Sequence, residues 1–373
     1  MKITALRTPC VLVDRRRIER NIDRMQTVAE AGGKRLRPHA KTHKSPDLAA
    51  IQIAHGAVGI CCAKLGEAEV FADHNVRDIR VPYPIHPVNG DRVLALLDRT
   101  HFSFIVDDLD VARGWSEVIR GAAREVDVLV KVDVGFHRCG IDPAPATAVD
   151  FIMRVASLPG LRFRGLLSHA GHAYGATTAV QISAIAHDEA RLLTTLSDLV
   201  GEQGIVVEEI SVGATPTARY SAQLPGITEL RPGNYIYYDR MQVALGSATW
   251  DDCALTVLAR VVSRPAPDRL ILDSGSKTLT NDVARGTAGA GYGAVLKSLD
   301  SFVPDEALLI ERLSEEHATV RVAGDGCALV PGDLVRIVPN HSCVVSNLVD
   351  DVWVVDGDEA QDQLRVAARG RIA

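Results

Sequence analysis

Between residues 35 and 230, short apolar runs alternate with amphipathic stretches of helical period. The runs Arg35–Pro38, Val58–Cys61, Asp78–Pro82, Phe102–Val106, Val126–Val132, Phe163–Ser168, Glu208–Val212 and Thr228–Leu230 read as strands. Between them, Ser45–His55, Gly66–Asp73, Asn89–Asp98, Leu109–Arg120, Ala144–Ser157 and Ala179–Glu202 read as helices, and Ile18–Ala31 precedes the first run. Each helix must return the chain to the same end of the sheet, so the alternation calls for parallel strands. Eight units at roughly 25 to 30 residues each fit a closed (β/α)8 barrel. A doubly wound open sheet is the alternative.

After about residue 245 the texture changes. Leu255–Val262, Arg269–Asp273, Ala307–Leu313, Ala318–Val322, Leu334–Ile337, Asp351–Val355 and Gln363–Ala367 are short, β-branched and separated by turn signals such as Pro331-Gly332-Asp333. They predict a small β domain, which the early run Thr8–Val13 joins. The expected division is an α/β barrel over 14–245 and a β domain over 1–13 and 246–373. The stretch Gly286–Gly293 lacks a preceding strand and the dinucleotide spacing, and reads as a flexible loop.

A chain of 373 residues accommodates one large barrel plus a second domain. Its net charge of -6 argues against a broad nucleic-acid surface. The run Arg15-Arg16-Arg17, beside Glu19 and Asp23, reads as a solvated helix face. Seven cysteines without regular spacing and with no C-x-x-C pair make a poor disulfide framework and fit a reducing compartment. The first residues lack the apolar core of a signal peptide, and no apolar run of about 20 residues occurs. These features predict a cytoplasmic protein without a membrane span.

Five signals carry chemistry, the two phosphate loops counting as one. Arg37-Pro38-His39-Ala40-Lys41-Thr42-His43-Lys44 follows the first barrel strand, at the face where barrel active sites form. A lysine there, with cationic neighbours lowering its pKa, is a Schiff-base candidate; a basic surface loop has the same composition. Gly213-Ala214-Thr215-Pro216-Thr217 and Arg231-Pro232-Gly233-Asn234 follow the last two strands, where barrels bind phosphate. Arg138 lies just past the fifth strand, and His169 and His172 end the sixth. In His341-x-Cys343, alternate residues of an extended segment point the same way. Imidazole plus thiolate suits zinc, and two ligands leave positions open for water and substrate. A buried cysteine near a chance histidine is the plain alternative.

Taken together, Arg37–Lys44, Gly59-Ile60-Cys61-Cys62-Ala63-Lys64, Lys131–Gly135 with Arg138-Cys139-Gly140, Arg231-Pro232-Gly233 and Pro339–Cys343 resemble the D-threonine aldolase and D-serine dehydratase family. The resemblance covers nearly the whole chain and implies the fold-type III architecture of alanine racemase. It implies pyridoxal 5'-phosphate on Lys41, with His39, Arg138, His169, Gly213, Thr215, Gly233 and Asn234 around it. It also implies catalytic roles for Lys41, Arg138 and His169, and a divalent metal on His341 and Cys343. Aldolases of the family carry Asp as the second ligand and D-serine dehydratases carry Cys. Cys343 therefore favours the dehydratase branch and zinc, with manganese or magnesium as alternatives. Glu316 and His317 are implied to reach toward the cleft from the second domain, and Lys277 reads as a rim residue.

The expected function is a lyase acting on a small D-β-hydroxy amino acid (D-serine, D-threonine or 3-hydroxyaspartate), releasing a 2-oxo acid and ammonia. An aldolase giving glycine and an aldehyde is the alternative. An amino acid racemase and a non-catalytic vitamin B6-binding protein are further alternatives. A homodimer is implied by the resemblance alone, with no nucleic-acid or membrane partner.

Overall fold

The computed structural model describes residues 1–283, 289–324 and 327–373. Strand β1 (Cys10–Asp14) runs directly into helix α1 (Arg15–Ala31), because the Asp14 carboxylate accepts from the Arg17 amide (3.0 Å) and caps the helix. The barrel strands follow: β2 (Arg35–Leu36), β3 (Ile60–Cys61), β4 (Asp78–Pro84), β5 (His101–Val106), β6 (Val126–Lys131), β7 (Leu161–Leu167), β8 (Glu209–Val212) and β9 (Glu229–Leu230). They pair in parallel in the order β2-β9-β8-β7-β6-β5-β4-β3. A parallel bridge between His39 and Cys61 joins the two ends of this order, so the sheet closes and the open-sheet alternative fails.

Helices α2 (Pro46–Ala54), α3 (Leu65–Asp73), α4 (Gly90–Leu97), α5 (Leu109–Gly121), α6 (Pro145–Ala156) and α7 (Ala179–Glu202) form the outer ring. Their apolar faces bury residues such as Leu48, Phe71, Leu96, Trp115, Ile152 and Leu196 against the strands. Two short helices, α8 (Ala218–Ser221) and α9 (Arg240–Ala244), follow β8 and β9. The barrel interior is partly ionic. Arg80 pairs with Glu209 and Glu229, Arg37 with Glu229 (2.9 Å), and Ser211 donates to Glu229 (2.6 Å). This buried network underlies the site and holds the Glu229 carboxyl far below the usual carboxylate range through Arg80 and Arg37, against the opposing effect of burial.

The second domain contains β10 (Leu255–Ala266), β11 (Arg269–Leu272), β12 (Ala294–Val295), β13 (Leu308–Leu313), β14 (Ala318–Val322), β15 (Leu334–Val338), β16 (Asp351–Asp356) and β17 (Glu359–Arg365), with α10 (Ser276–Leu279) and α11 (Ser342–Ser346). The early strand lies in its sheet: β1 pairs antiparallel with β10 and parallel with β16. Of Gly286–Gly293, residues 286–288 lie outside the described residues. The described remainder is tied down: Arg240 donates to Ala290 O (2.9 Å) and Asn340 to Gly291 O (2.9 Å). Among the described residues, no helix is long and apolar enough to cross a membrane.

Candidate active site

Lys41 is positioned by the end of the first barrel strand. Arg37 anchors that strand through Glu229 and Asp78, and Pro38 prevents it from continuing as a regular strand. The chain then makes one 3-10 turn, Ala40–Thr42, whose first amides are capped by His39: its Nδ1 accepts from Lys41 N (3.4 Å). The Lys41 side chain faces a cavity of about 240 Å³ at the barrel mouth. Burial lowers its pKa; Cys343 offsets part of this and Arg138 reinforces it. The amine therefore carries a free electron pair more readily than an exposed lysine does.

Across the cavity lie the loops after β8 and β9. A Cβ on Gly233 would meet His39 O and Thr42 Oγ1, each at 3.0 Å, and one on Gly213 would meet Arg231 Nη2 at 3.2 Å. Glycine permits this close approach of the loops. Thr215 Oγ1 and both amide heteroatoms of Gln242 are buried without a hydrogen-bond partner among the described residues, and Tyr174 lines the same cavity. Buried polar atoms are rarely left unpaired, so this cradle fits an anionic group such as a phosphate. Asn234 also lines the cavity, but its amide nitrogen is committed to Asp239 (2.6 Å) and Ser342 (3.1 Å). It joins two loops instead of offering a free side-chain donor.

The floor and far wall carry cations. Lys131, at the end of β6, lines the cavity, and burial pushes its pKa down to about 7, with Arg231 adding to the shift. Arg231 is buried and donates to Ser211 Oγ (3.0 Å) and the Ser168 carbonyl. Arg138 stands over the Phe136 ring at 5.0 Å. Its loop is shaped by Asp133, which accepts from the Gly135 and His137 amides (3.0 Å each), and by Gly140 at φ +119. A Cβ on Gly140 would meet Asp133 N at 2.6 Å, so glycine is required twice over. His169 donates its Nδ1–H to Gly213 O (2.5 Å), leaving Nε2 as its lone-pair nitrogen. Burial, then Lys41, Lys131 and Arg138, hold its pKa well below the usual value, so the ring is neutral. The His39 imidazole is held low in the same way, by burial first and then Lys41. His172 is absent from the cavity lining and sits beside Gly135.

The second domain supplies His341 and Cys343, which line the same cavity. The expectation of an extended segment is corrected. His341 is the N-cap of α11 and Cys343 lies in its first turn. Asp239 accepts from Ser342 N (3.0 Å) and Ser342 Oγ (3.3 Å), which sets this helix start. The Cys343 thiol sits at 3.2 Å from Thr42 Oγ1, and Asn234 Nδ2 donates to it at 3.5 Å. Burial raises its pKa, but hydrogen bonding from His341 and the charges of His341 and Lys41 bring it below the usual thiol value. Burial opposes charging of His341, yet Cys343, Asp239 and Asp282 push its pKa up to about 10. An imidazole and a thiolate-prone cysteine facing one cavity suit a soft divalent metal. Among the described residues, no third histidine, cysteine or carboxylate completes a cluster around them.

Glu316 and His317 are not brought to the cavity of this chain. Lys277 pairs with Glu315 and Glu316 (2.8 Å each) in an exposed cluster. Sequence reasoning also missed Lys131, Tyr174, Arg231, Asp239, Gln242 and Asp282. Lys131 and Arg231 stand inside motifs already recognised, so their place at strand ends was a usable signal; Tyr174, Asp239, Gln242 and Asp282 stand outside those motifs.

A closed parallel barrel with a lysine at its rim, an anion cradle after the last two strands and a covering β domain define a fold-type III pyridoxal-phosphate enzyme. The family model for the N-terminal domain of alanine racemase matches residues 13–241, and that for a putative serine dehydratase domain matches 254–355. The D-threonine aldolase of Arthrobacter sp is 33% identical, over 97% of this chain and 93% of that protein. The D-threo-3-hydroxyaspartate dehydratase of Delftia sp. (strain HT23) is 33% identical, over 91% of this chain and 92% of its own. The dehydratase structure superposes with a TM-score of 0.91 at 30% identity, covering 98% of each chain. The D-threonine aldolase of Filomicrobium marinum gives 0.91 at 28%, covering 100% of this chain and 98% of that one. This chain belongs to the D-threonine aldolase and D-serine dehydratase family of pyridoxal-phosphate-dependent lyases.

Proposed function

We propose that the protein dehydrates and deaminates a D-β-hydroxy amino acid (D-serine, D-threonine or 3-hydroxyaspartate) to a 2-oxo acid and ammonia. The observation that carries this reading is Cys343, facing Lys41 across one cavity beside His341. Two solved mutants of a D-threo-3-hydroxyaspartate dehydratase replace a histidine and a cysteine two positions apart, and the cysteine mutant was solved in a metal-free form. His341 and Cys343 have the same spacing and residue types, which supports their assignment as metal ligands, with zinc favoured by the thiolate.

Lys41 would hold the cofactor; Gly213, Thr215, Gly233 and Asn234, with Tyr174 and Gln242, would surround its phosphate. When bound, pyridoxal phosphate supplies an electron sink at Cα, and a divalent metal supplies a Lewis acid at the β-oxygen. Lys41, with its pKa lowered by burial, takes the α-proton in the dehydration reaction. Arg138 and Lys131 give the cavity a positive field that receives anionic groups. His39 and His169 are held neutral, so they contribute ring surface and a lone pair without adding charge.

The aldolase reading uses the same residues, with the β-hydroxyl proton removed and the Cα–Cβ bond broken. The 33% identity to a D-threonine aldolase supports it. A homodimer and a cytoplasmic location belong to the same family reading. Mass spectrometry tests the proposal with each substrate in a separate tube, pyridoxal phosphate and zinc present, and Lys41→Ala as control. A 2-oxo acid with ammonia, lost in the control, supports dehydration. Glycine with an aldehyde replaces it by the aldolase, and inertness toward D- and L-isomers alike refutes both.

A further inference from the structure

Asp282 lies outside every motif recognised in the sequence, yet its carboxylate oxygen Oδ2 stands 2.6 Å from His341 Nδ1. The two residues are 59 positions apart, so the contact is made by the fold. The chain is constrained to make it. After α10, Thr280 adopts φ +68, a left-handed conformation that a β-branched residue rarely accepts. That turn directs Asp282 back toward α11. The Asp282 amide donates to Thr280 Oγ1 (2.8 Å), and the Asp282 carbonyl accepts from Asn340 Nδ2 (3.0 Å). Asn340 is buried and immediately precedes His341; its own Oδ1 accepts from Arg240 (3.2 Å). Backbone and side chain of Asp282 are thus both fixed relative to the imidazole.

We infer that Asp282 is a positioning residue that orients His341 toward the metal. This rests on the reading of His341 and Cys343 as ligands. An imidazole has two nitrogens, and a ligand must present one lone pair in one direction. With Nδ1–H donated to the carboxylate, the ring has one tautomer and one orientation, and Nε2 is the nitrogen left to bind. The carboxylate also makes that nitrogen a better donor. Asp282 does not itself form a three-ligand set with His341 and Cys343. Its place is behind the histidine.

The test measures zinc affinity by chelator competition on the cofactor-loaded protein, with the thiolate-to-metal absorption of the cobalt(II) form as a second readout. Asp282→Ala is expected to weaken zinc about 10- to 100-fold and to shift the cobalt spectrum, with the cofactor absorbance unchanged. Asp282→Asn keeps an oxygen that accepts from Nδ1–H, so it should recover most of the affinity; this variant also controls for a folding defect in the alanine form. Unchanged affinity in Asp282→Ala, or equal weakening in both variants, overturns the positioning role. His341→Ala and Cys343→Ala separate the two claims. If they too retain zinc, the ligand reading falls; if they lose it while Asp282→Ala does not, only the role of Asp282 falls.

Discussion

Asp239 joins the two halves of the site, and its replacement by asparagine is the perturbation with the most to reveal. Its carboxylate is 1% exposed. One oxygen accepts from Asn234 Nδ2 (2.6 Å) and Ser342 N (3.0 Å); the other accepts from Gln242 N (3.0 Å). Asparagine has the same shape but offers only one oxygen. If it faces Gln242, its amide nitrogen meets the N–H donors of Asn234 and Ser342 at 2.6 and 3.0 Å, and the Ser342 hydroxyl at 3.3 Å must turn to accept. If it turns the other way, the Gln242 amide loses its acceptor. Each buried donor left unpaired costs about 1–3 kcal/mol, so Asp239→Asn should lose about 2–4 kcal/mol of stability. Asn234 belongs to the cradle loop, and Ser342 stands between the two proposed metal ligands. Cofactor and metal affinity should therefore fall together. Urea unfolding measures the first effect; absorbance titration with pyridoxal phosphate and competition for zinc measure the second. A stability loss under about 0.5 kcal/mol, with both affinities unchanged, would refute the reasoning.

Gly233→Ala places a methyl 3.0 Å from the His39 carbonyl and Thr42 Oγ1, so the loop must shift. Cofactor affinity should drop about tenfold at a stability cost of about 1–3 kcal/mol, and wild-type values for both would discount the close approach. Lys131 has a folded-state pKa of about 7, below its unfolded value of 10.5. Between those limits the unfolded chain binds the extra proton, so stability of the cofactor-free protein should rise with pH from 7 to 10.5. Lys131→Met should remove that component of the rise, as pH-dependent urea midpoints would show. Cys343→Asp replaces a soft ligand by a hard one, so metal competition should show preference moving from zinc toward manganese or magnesium. Retained zinc selectivity would mean that the thiolate does not govern the choice.

The barrel was legible because its strands from β2 to β7 are each followed by a helix-forming stretch of eight or more residues, a signal spread over much of the chain. Even its two-residue strands β2 and β9 fell inside the runs Arg35–Pro38 and Thr228–Leu230, whereas β12 of the second domain, Ala294–Val295, was missed altogether. Pairing partners define such strands, and periodicity cannot show itself in two residues. Lys41, the glycine loops and His341 with Cys343 could be read because each stands in a compact motif, and the structure brings all of them to one cavity. The local geometry of His341-x-Cys343 could not, because α11 starts where Asp239, a residue 103 positions earlier, accepts from Ser342. Asp282 escaped for the same reason: its partner His341 stands 59 positions away, and nothing in its immediate sequence marks it.

The most direct test of the account is the fate of the α-hydrogen. Dehydration requires Lys41 to take it, whereas aldol cleavage leaves it on the glycine product. Substrate deuterated at Cα, either D-serine or D-threo-3-hydroxyaspartate, would be turned over and its products followed by mass spectrometry and ammonia release. The account predicts a 2-oxo acid, ammonia and a primary isotope effect on their formation. Glycine that retains the deuterium, formed at an undiminished rate, would contradict it.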